Sequence, residues 1–218
     1  MDGMSELVDR GGIRGFLHRP DGDIVGGVVF AHGAGGNSDS LLLRALAAGL
    51  AAEGFLVLRF DLPYRQRRPS GPPHPSKAAE DRAGIEAAIA EMRAFVPGSP
   101  VIAGGQSYGG RQTSMLLAEQ PDLADGLLLT SYPLHPPGKP EKARTEHLPQ
   151  LRTPTVVVHG SKDTFATTAE ITAALDLIPA PTTLVEIDGG RHDLSPEKFP
   201  VVARTVEAVL RELPTGDR

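Results

Sequence analysis

Short aliphatic and β-branched runs alternate along this chain with longer stretches whose apolar residues recur at helical spacing. That alternation is the signature of an α/β fold, a mostly parallel central sheet with helices on both faces. The pattern predicts strands over 13–18, 24–31, 55–60, 100–105, 126–131, 154–159 and 182–187. Helices are expected over 39–53, 78–95, 108–119, 167–178 and 197–212. Val28-Val29-Phe30, Leu127-Leu128-Leu129 and Val156-Val157-Val158 are unbroken apolar runs, as central strands buried on both faces require. Two segments interrupt the rhythm: 63–75, rich in proline and arginine, and 132–140, rich in proline. Proline resists both helix interiors and central strands, so both read as loops. Each follows an expected strand and would lie at the carboxyl end of the sheet, where open α/β folds bind ligands. They read as ordered loops roofing a cleft or as plain surface loops.

No repeat or Gly/Ser linker divides the 218 residues, so one domain over 1–218 is expected. Hydrophobic residues make up 40% and charged residues 22%, the balance of a folded globular protein rather than a disordered one. A net charge of -5 argues against nucleic acid as a partner. There is no cysteine, which removes disulfides, thiolate metal sites and a cysteine nucleophile and leaves oxygen as the nucleophilic atom. Met1–Arg10 lacks a basic start and the roughly 7–15-residue apolar run of a secretory signal. No stretch approaches the ~18 apolar residues that span a bilayer. A cytoplasmic protein without membrane partners is expected.

The most specific motif is Gly104-Gly105-Gln106-Ser107-Tyr108-Gly109-Gly110, a G-x-S-x-G string between the strand at 100–105 and the helix at 108–119. Such a turn strains the backbone so that the serine hydroxyl protrudes, and glycines two residues to either side remove Cβ atoms that would collide. A serine hydroxyl needs a base within hydrogen-bond reach, itself oriented by a third group. His192 fits the base, in the loop that follows the last strand. Asp163 fits the acid, in the loop Gly160-Ser161-Lys162-Asp163. Asp188 and Asp193 lie too close to His192 in sequence to orient its far side easily, and Asp61 reads as a structural loop carboxylate. Backbone N–H groups of Tyr108 and Ala34, the latter in Ala31-His32-Gly33-Ala34-Gly35-Gly36, are the expected donors to a developing oxyanion.

His18, His74, His135 and His147 show no partner spacing and read as solvated or loop-packing residues, while His159 should pack beneath the Asp163 loop. No histidine pair has metal-ligand spacing, and neither metal nor cofactor is expected. Arg65, Arg67 and Arg68 follow the strand at 55–60. They bind a carboxylate or phosphate on the substrate, or else form a solvated basic loop.

The His32-Gly33 turn, the Ser107 elbow, Asp163 and His192, in that order, resemble the α/β-hydrolase fold over nearly the whole chain. The small size, with minimal or no cap, resembles its dienelactone-hydrolase-like branch. Dienelactone hydrolases use cysteine where this chain has Ser107. Through Ser131-Tyr132-Pro133-Leu134-His135-Pro136-Pro137-Gly138-Lys139-Pro140 and Gly105-Gln106-Ser107-Tyr108-Gly109-Gly110-Arg111, the chain is also similar to a group of small α/β-hydrolase proteins that includes a subunit of the NSL chromatin-acetylation complex. The resemblance implies a serine hydrolase acting on a small-molecule acyl substrate. The alternative it implies is a binding or scaffold protein that keeps the fold without catalysis.

Overall fold

Alternation within the strands sends successive side chains into two separate cores. Val29, Ala31, Leu127, Leu129 and Val157 face one, with Ile85, Ile89, Met92, Leu116, Leu117 and Ile171 from three helices. Val28, Phe30, Leu128, Val156 and Val158 face the other, with Leu42, Leu43, Leu46, Leu50, Val201 and Val209 from two more. A period of two puts neighbours on opposite faces, so each run that is apolar throughout fills both layers at once.

The computed structural model describes residues 5–216. Met1–Met4, part of the amino-terminal stretch considered above, and Asp217–Arg218 lie outside the described residues. The strands are β1 (Ser5–Arg10), β2 (Ile13–His18), β3 (Gly26–Ala31), β4 (Phe55–Phe60), β5 (Val101–Gln106), β6 (Gly126–Thr130), β7 (Thr155–Gly160) and β8 (Thr182–Ile187). They form one sheet in the order β1-β2-β4-β3-β5-β6-β7-β8. Pairings β1–β2 and β2–β4 are antiparallel, and the rest are parallel. The helices are α1 (Leu41–Ala52), α2 (Pro63–Arg67), α3 (Ala78–Phe95), α4 (Tyr108–Glu119), α5 (Thr168–Leu175) and α6 (Val201–Glu212). Helices α3, α4 and α5 cover one face, and α1 and α6 the other. Among the described residues, no helix is long and apolar enough to cross a membrane.

Every strand expected from the pattern is present, with ends shifted by at most two residues. Three departures have local causes. Strand β1 was not expected, because only Val8 of its six residues is buried; as an edge strand it needs no apolar alternation. Helix α6 begins at Val201 instead of 197, since a residue preceding proline, here Phe199 before Pro200, disfavours helical backbone. The segment 63–75 is not wholly loop: Pro63 opens the short helix α2 at its first position, where the missing N–H forfeits no intrahelical bond.

The order β4-β3-β5 places the site. From β3 the chain moves outward to β4, then crosses back so that β5 lies on the other side of β3. Loops leaving β3 and β5 therefore diverge at their carboxyl ends and open a crevice there. Ala31 pairs with Gly105 in that register, so the segments beginning at His32 and Ser107 flank the crevice.

Candidate active site

At the end of β5 the chain turns into α4 through one strained residue. Ser107 has φ 49° and ψ -114°, a backbone conformation that side-chain-bearing residues rarely adopt. Its own N–H donates to the Thr130 carbonyl at 2.9 Å, and its carbonyl accepts from Arg111 N–H at 2.9 Å. A Cβ on Gly105 would lie 2.6 Å from the Ala31 carbonyl oxygen, so the turn closes only without one.

The three sequence-predicted residues Ser107, His192 and Asp163 meet in space. His192 Nε2 is 2.9 Å from Ser107 Oγ, and His192 Nδ1 is 2.8 Å from Asp163 Oδ2. A carboxylate only accepts, so Nδ1 carries the proton and Nε2 presents its lone pair to the serine hydroxyl. The Asp163 side chain is fully buried while that of His192 is 27% exposed. The acid is shielded, while the base is partly exposed beside Ser107, which lines the cleft. Asp163 is held by its other oxygen, which accepts from Phe165 N–H at 2.8 Å. The Phe165 ring stacks on the imidazole at 4.1 Å between centroids.

Register brings the acid and base loops together. Gly160 pairs with Ile187 at the ends of β7 and β8. Beyond them Ser161 N–H donates to Ile187 O and Lys162 N–H to Gly190 O, and Gly189 N–H donates to Ser161 Oγ. The competing carboxylates are engaged elsewhere or exposed: Asp61 accepts from Ser38 N–H and Arg14, Asp188 pairs with Ser161, and Asp193 is exposed.

The loop after β3 is held by its carbonyls. Tyr64 Oη donates to Gly33 O and Ala34 O. Arg65 is 3% exposed, and its guanidinium donates to Gly36 O, Ala34 O, Arg68 O and Gly71 O. His32 Nε2 accepts from Leu62 N–H, which leaves Nδ1 to donate to Gly33 O. Burial holds His32 below the ordinary histidine range and pushes the Tyr64 hydroxyl up to about 12, so both are neutral. A Cβ on Gly33 would stand 3.6 Å from Ser107 Cβ, which sets this loop beside the nucleophile.

Arg65 therefore departs from the substrate-binding role read from sequence, because carbonyl oxygens occupy most of its donors. Arg67 and Arg68 line an adjoining recess of about 240 Å³ with Tyr64, His74 and Lys77, which shares Pro72 and His74 with the cleft over Ser107. The cleft over Ser107 has a volume of about 420 Å³ and is lined by Ala34, Tyr108, Arg111, Gln112, Arg144 and Phe165, with prolines 72, 73, 75 and 133. Both proline-rich segments thus contribute to its walls. The Tyr108 hydroxyl donates to the buried carboxylate of Asp81 at 2.8 Å, which also accepts from Tyr64 N–H. Burial raises the Asp81 carboxyl, and it raises the Tyr108 hydroxyl further above its usual range.

Phe165, Asp81, Tyr64, Arg111 and Arg144 were not singled out from sequence. Arg111 carried a signal, since a residue four places beyond the elbow serine lies one helical turn above it. Arg144 carried none, being in an aperiodic loop. His159 packs as expected, fully buried with Nε2 3.1 Å from Ala166 O in the Asp163 loop. Among the described residues no group of three or more His, Asp or Glu side chains is disposed to hold a metal ion.

A sequence profile of the alpha/beta hydrolase domain family matches residues 25–212. The chain belongs to the α/β-hydrolase family. It is similar to a dienelactone hydrolase from Anabaena variabilis, with 21% identity, 98% of this chain and 100% of that chain covered, and a TM-score of 0.76. It is similar to Est1E from Butyrivibrio proteoclasticus, with 17% identity, coverage of 95% and 98%, and a TM-score of 0.74. It is also similar to XC6422 from Xanthomonas campestris, described as a serine hydrolase without a lid, with 17% identity, coverage of 100% and 98%, and a TM-score of 0.70.

Proposed function

We propose that this protein is a serine hydrolase that cleaves an ester or related acyl bond of a small-molecule substrate through an acyl-enzyme. The observation that carries the reading is the continuous hydrogen-bond chain from Asp163 through His192 to Ser107 Oγ at the floor of the cleft. Ser107 Oγ attacks the acyl carbon as His192 Nε2 takes its proton, and Asp163 stabilises the imidazolium that forms. The tetrahedral oxyanion then collapses. The bond to the leaving group breaks, and His192 returns the proton to the departing oxygen. Water attacks the acyl-serine by the same route, His192 again serving as base, and the acid leaves with Ser107 restored.

Two backbone amides are the proposed donors to the oxyanion. Tyr108 N–H opens α4, where first-turn donors lack intrahelical acceptors and the helix dipole favours negative charge. In a trans peptide the carbonyl and the following N–H point oppositely. Because His32 and Tyr64 hold the Gly33 carbonyl, the Ala34 N–H turns away from them, and Ala34 lines the cleft. Losing one such donor costs ~3–4 kcal/mol in the transition state.

A fluorophosphonate probe and a panel of p-nitrophenyl esters test the reading. Labelling at Ser107 is expected, together with a loss of roughly 10⁶-fold in kcat for Ser107→Ala. Wild-type-like turnover by that variant, or no labelling of the folded protein, overturns it; the second result favours a scaffold.

A further inference from the structure

Two arginines share the wall of the cleft that holds Ser107, and among the described residues neither is hydrogen-bonded to a carboxylate. Arg111 and Arg144 both line the cavity. Among the described residues neither forms an ion pair, and Arg111 Nε is buried with no hydrogen-bond partner. Arg144 spends one donor on the Pro133 carbonyl at 2.8 Å. Its main chain is fixed by Arg144 N–H to Leu134 O and by Tyr132 Oη to Arg144 O. The two cations are near enough to repel: burial, then Arg111, lowers the Arg144 pKa, and the exposed Glu146 only partly opposes this. Burial and Arg111 likewise hold His147, hydrogen-bonded to Ser114 nearby, down to about 4, so it adds no charge at neutral pH.

Two like charges kept together and only partly offset by one exposed carboxylate destabilise a fold. A guanidinium presents a rigid fork of donors that matches a carboxylate. One is held in place by Pro133, and the other stands one helical turn above the nucleophile. We propose that Arg111 and Arg144 form a clamp for a carboxylate on the substrate, so that the esters this cleft selects are carboxylate-bearing. The clamp deepens the hydrolase reading and rests on it for its catalytic arm.

The test compares kcat/KM for esters matched in shape. p-Nitrophenyl hemiglutarate against p-nitrophenyl valerate places the carboxylate on the acyl side; 4-carboxyphenyl acetate against phenyl acetate places it on the leaving side. In at least one pair the anionic ester should be preferred by about 10- to 100-fold, the worth of a charged hydrogen bond. That preference should fall to near unity in Arg111→Met and Arg144→Met. No preference in either pair, or a preference that survives both substitutions, overturns the clamp. So does a lowered Tm with the preference intact, the pattern of arginines that serve only the fold. A second arm does not need turnover: glutarate should raise the Tm of the Ser107→Ala protein, and adding Arg111→Met should abolish the rise. A rise that persists, or none at all, counts against the clamp. Ser107-dependent hydrolysis of the neutral esters without anion preference overturns the clamp alone. Failure of fluorophosphonate labelling while glutarate still binds through Arg111 overturns the hydrolase reading alone.

Discussion

At Gly109 a Cβ would stand 2.5 Å from the His32 carbonyl oxygen and 2.8 Å from that of Ala31, backbone atoms that close β3 and begin the loop beside Ser107. Neither can retreat without disturbing the sheet or the held carbonyls of that loop. Gly109→Ala should therefore displace α4. At roughly 1–3 kcal/mol for overpacking, its Tm should fall by roughly 2–12 °C, with activity lost alongside, as thermal melts and ester assays will report. An unchanged melt with full activity would show that the loop yields more easily than its contacts indicate. The requirement for glycine was legible in the motif itself. Phe165 was not, although it stacks on His192, because a lone aromatic in a loop has no period or spacing to mark it.

Helix α2 shows how a whole element takes its meaning from what it touches. Five residues long, it brings Tyr64 and Arg65 under the loop after β3, where they hold the carbonyls of Gly33, Ala34 and Gly36. A substrate-binding Arg65 and a loop-holding Arg65 predict different kinetics. If Arg65 held a substrate anion, Arg65→Met would raise KM for anionic esters alone. As a support for the loop it should lower kcat for neutral and anionic esters alike, by up to roughly 10²–10³-fold if the Ala34 donor is misplaced, and lower the Tm. Arg65→Lys should rescue little, since an ammonium cannot span the same four carbonyls. A defect confined to KM for anionic esters would restore the role read from sequence. Proline at 63 hid this helix, since proline excludes helix interiors but not their first position.

Across the whole molecule, burial leaves several histidines reluctant to charge. Desolvation lowers His32, His147 and His159 from the ordinary value of 6.5, whereas the Pro136 carbonyl and Glu170 raise His135. For His147, down at about 4, the sign follows from which state takes up protons first. Below about 6.5 the unfolded chain binds a proton that the folded chain refuses, so stability present at neutral pH is lost as pH falls toward about 4. Urea midpoints measured from pH 7.5 to 4.5 should decline, and the decline should be shallower in His147→Gln. Equal slopes for the two proteins would mean that His147 does not carry this loss.

Seven of the eight strands, most helices and the chain order of Ser107, Asp163 and His192 follow from the sequence, because side-chain period and turn chemistry are local properties that a linear string records. Tertiary structure alone decided how the loops are secured and where charge faces the cleft. The register of β7 on β8 ties the Asp163 and His192 loops together, burial turns Arg65 toward carbonyls, and packing brings Arg111 and Arg144 to one cleft with no ion pair to either among the described residues. Each depends on contacts between residues far apart in the chain, and their strength is set by desolvation, which exists only once the chain has folded.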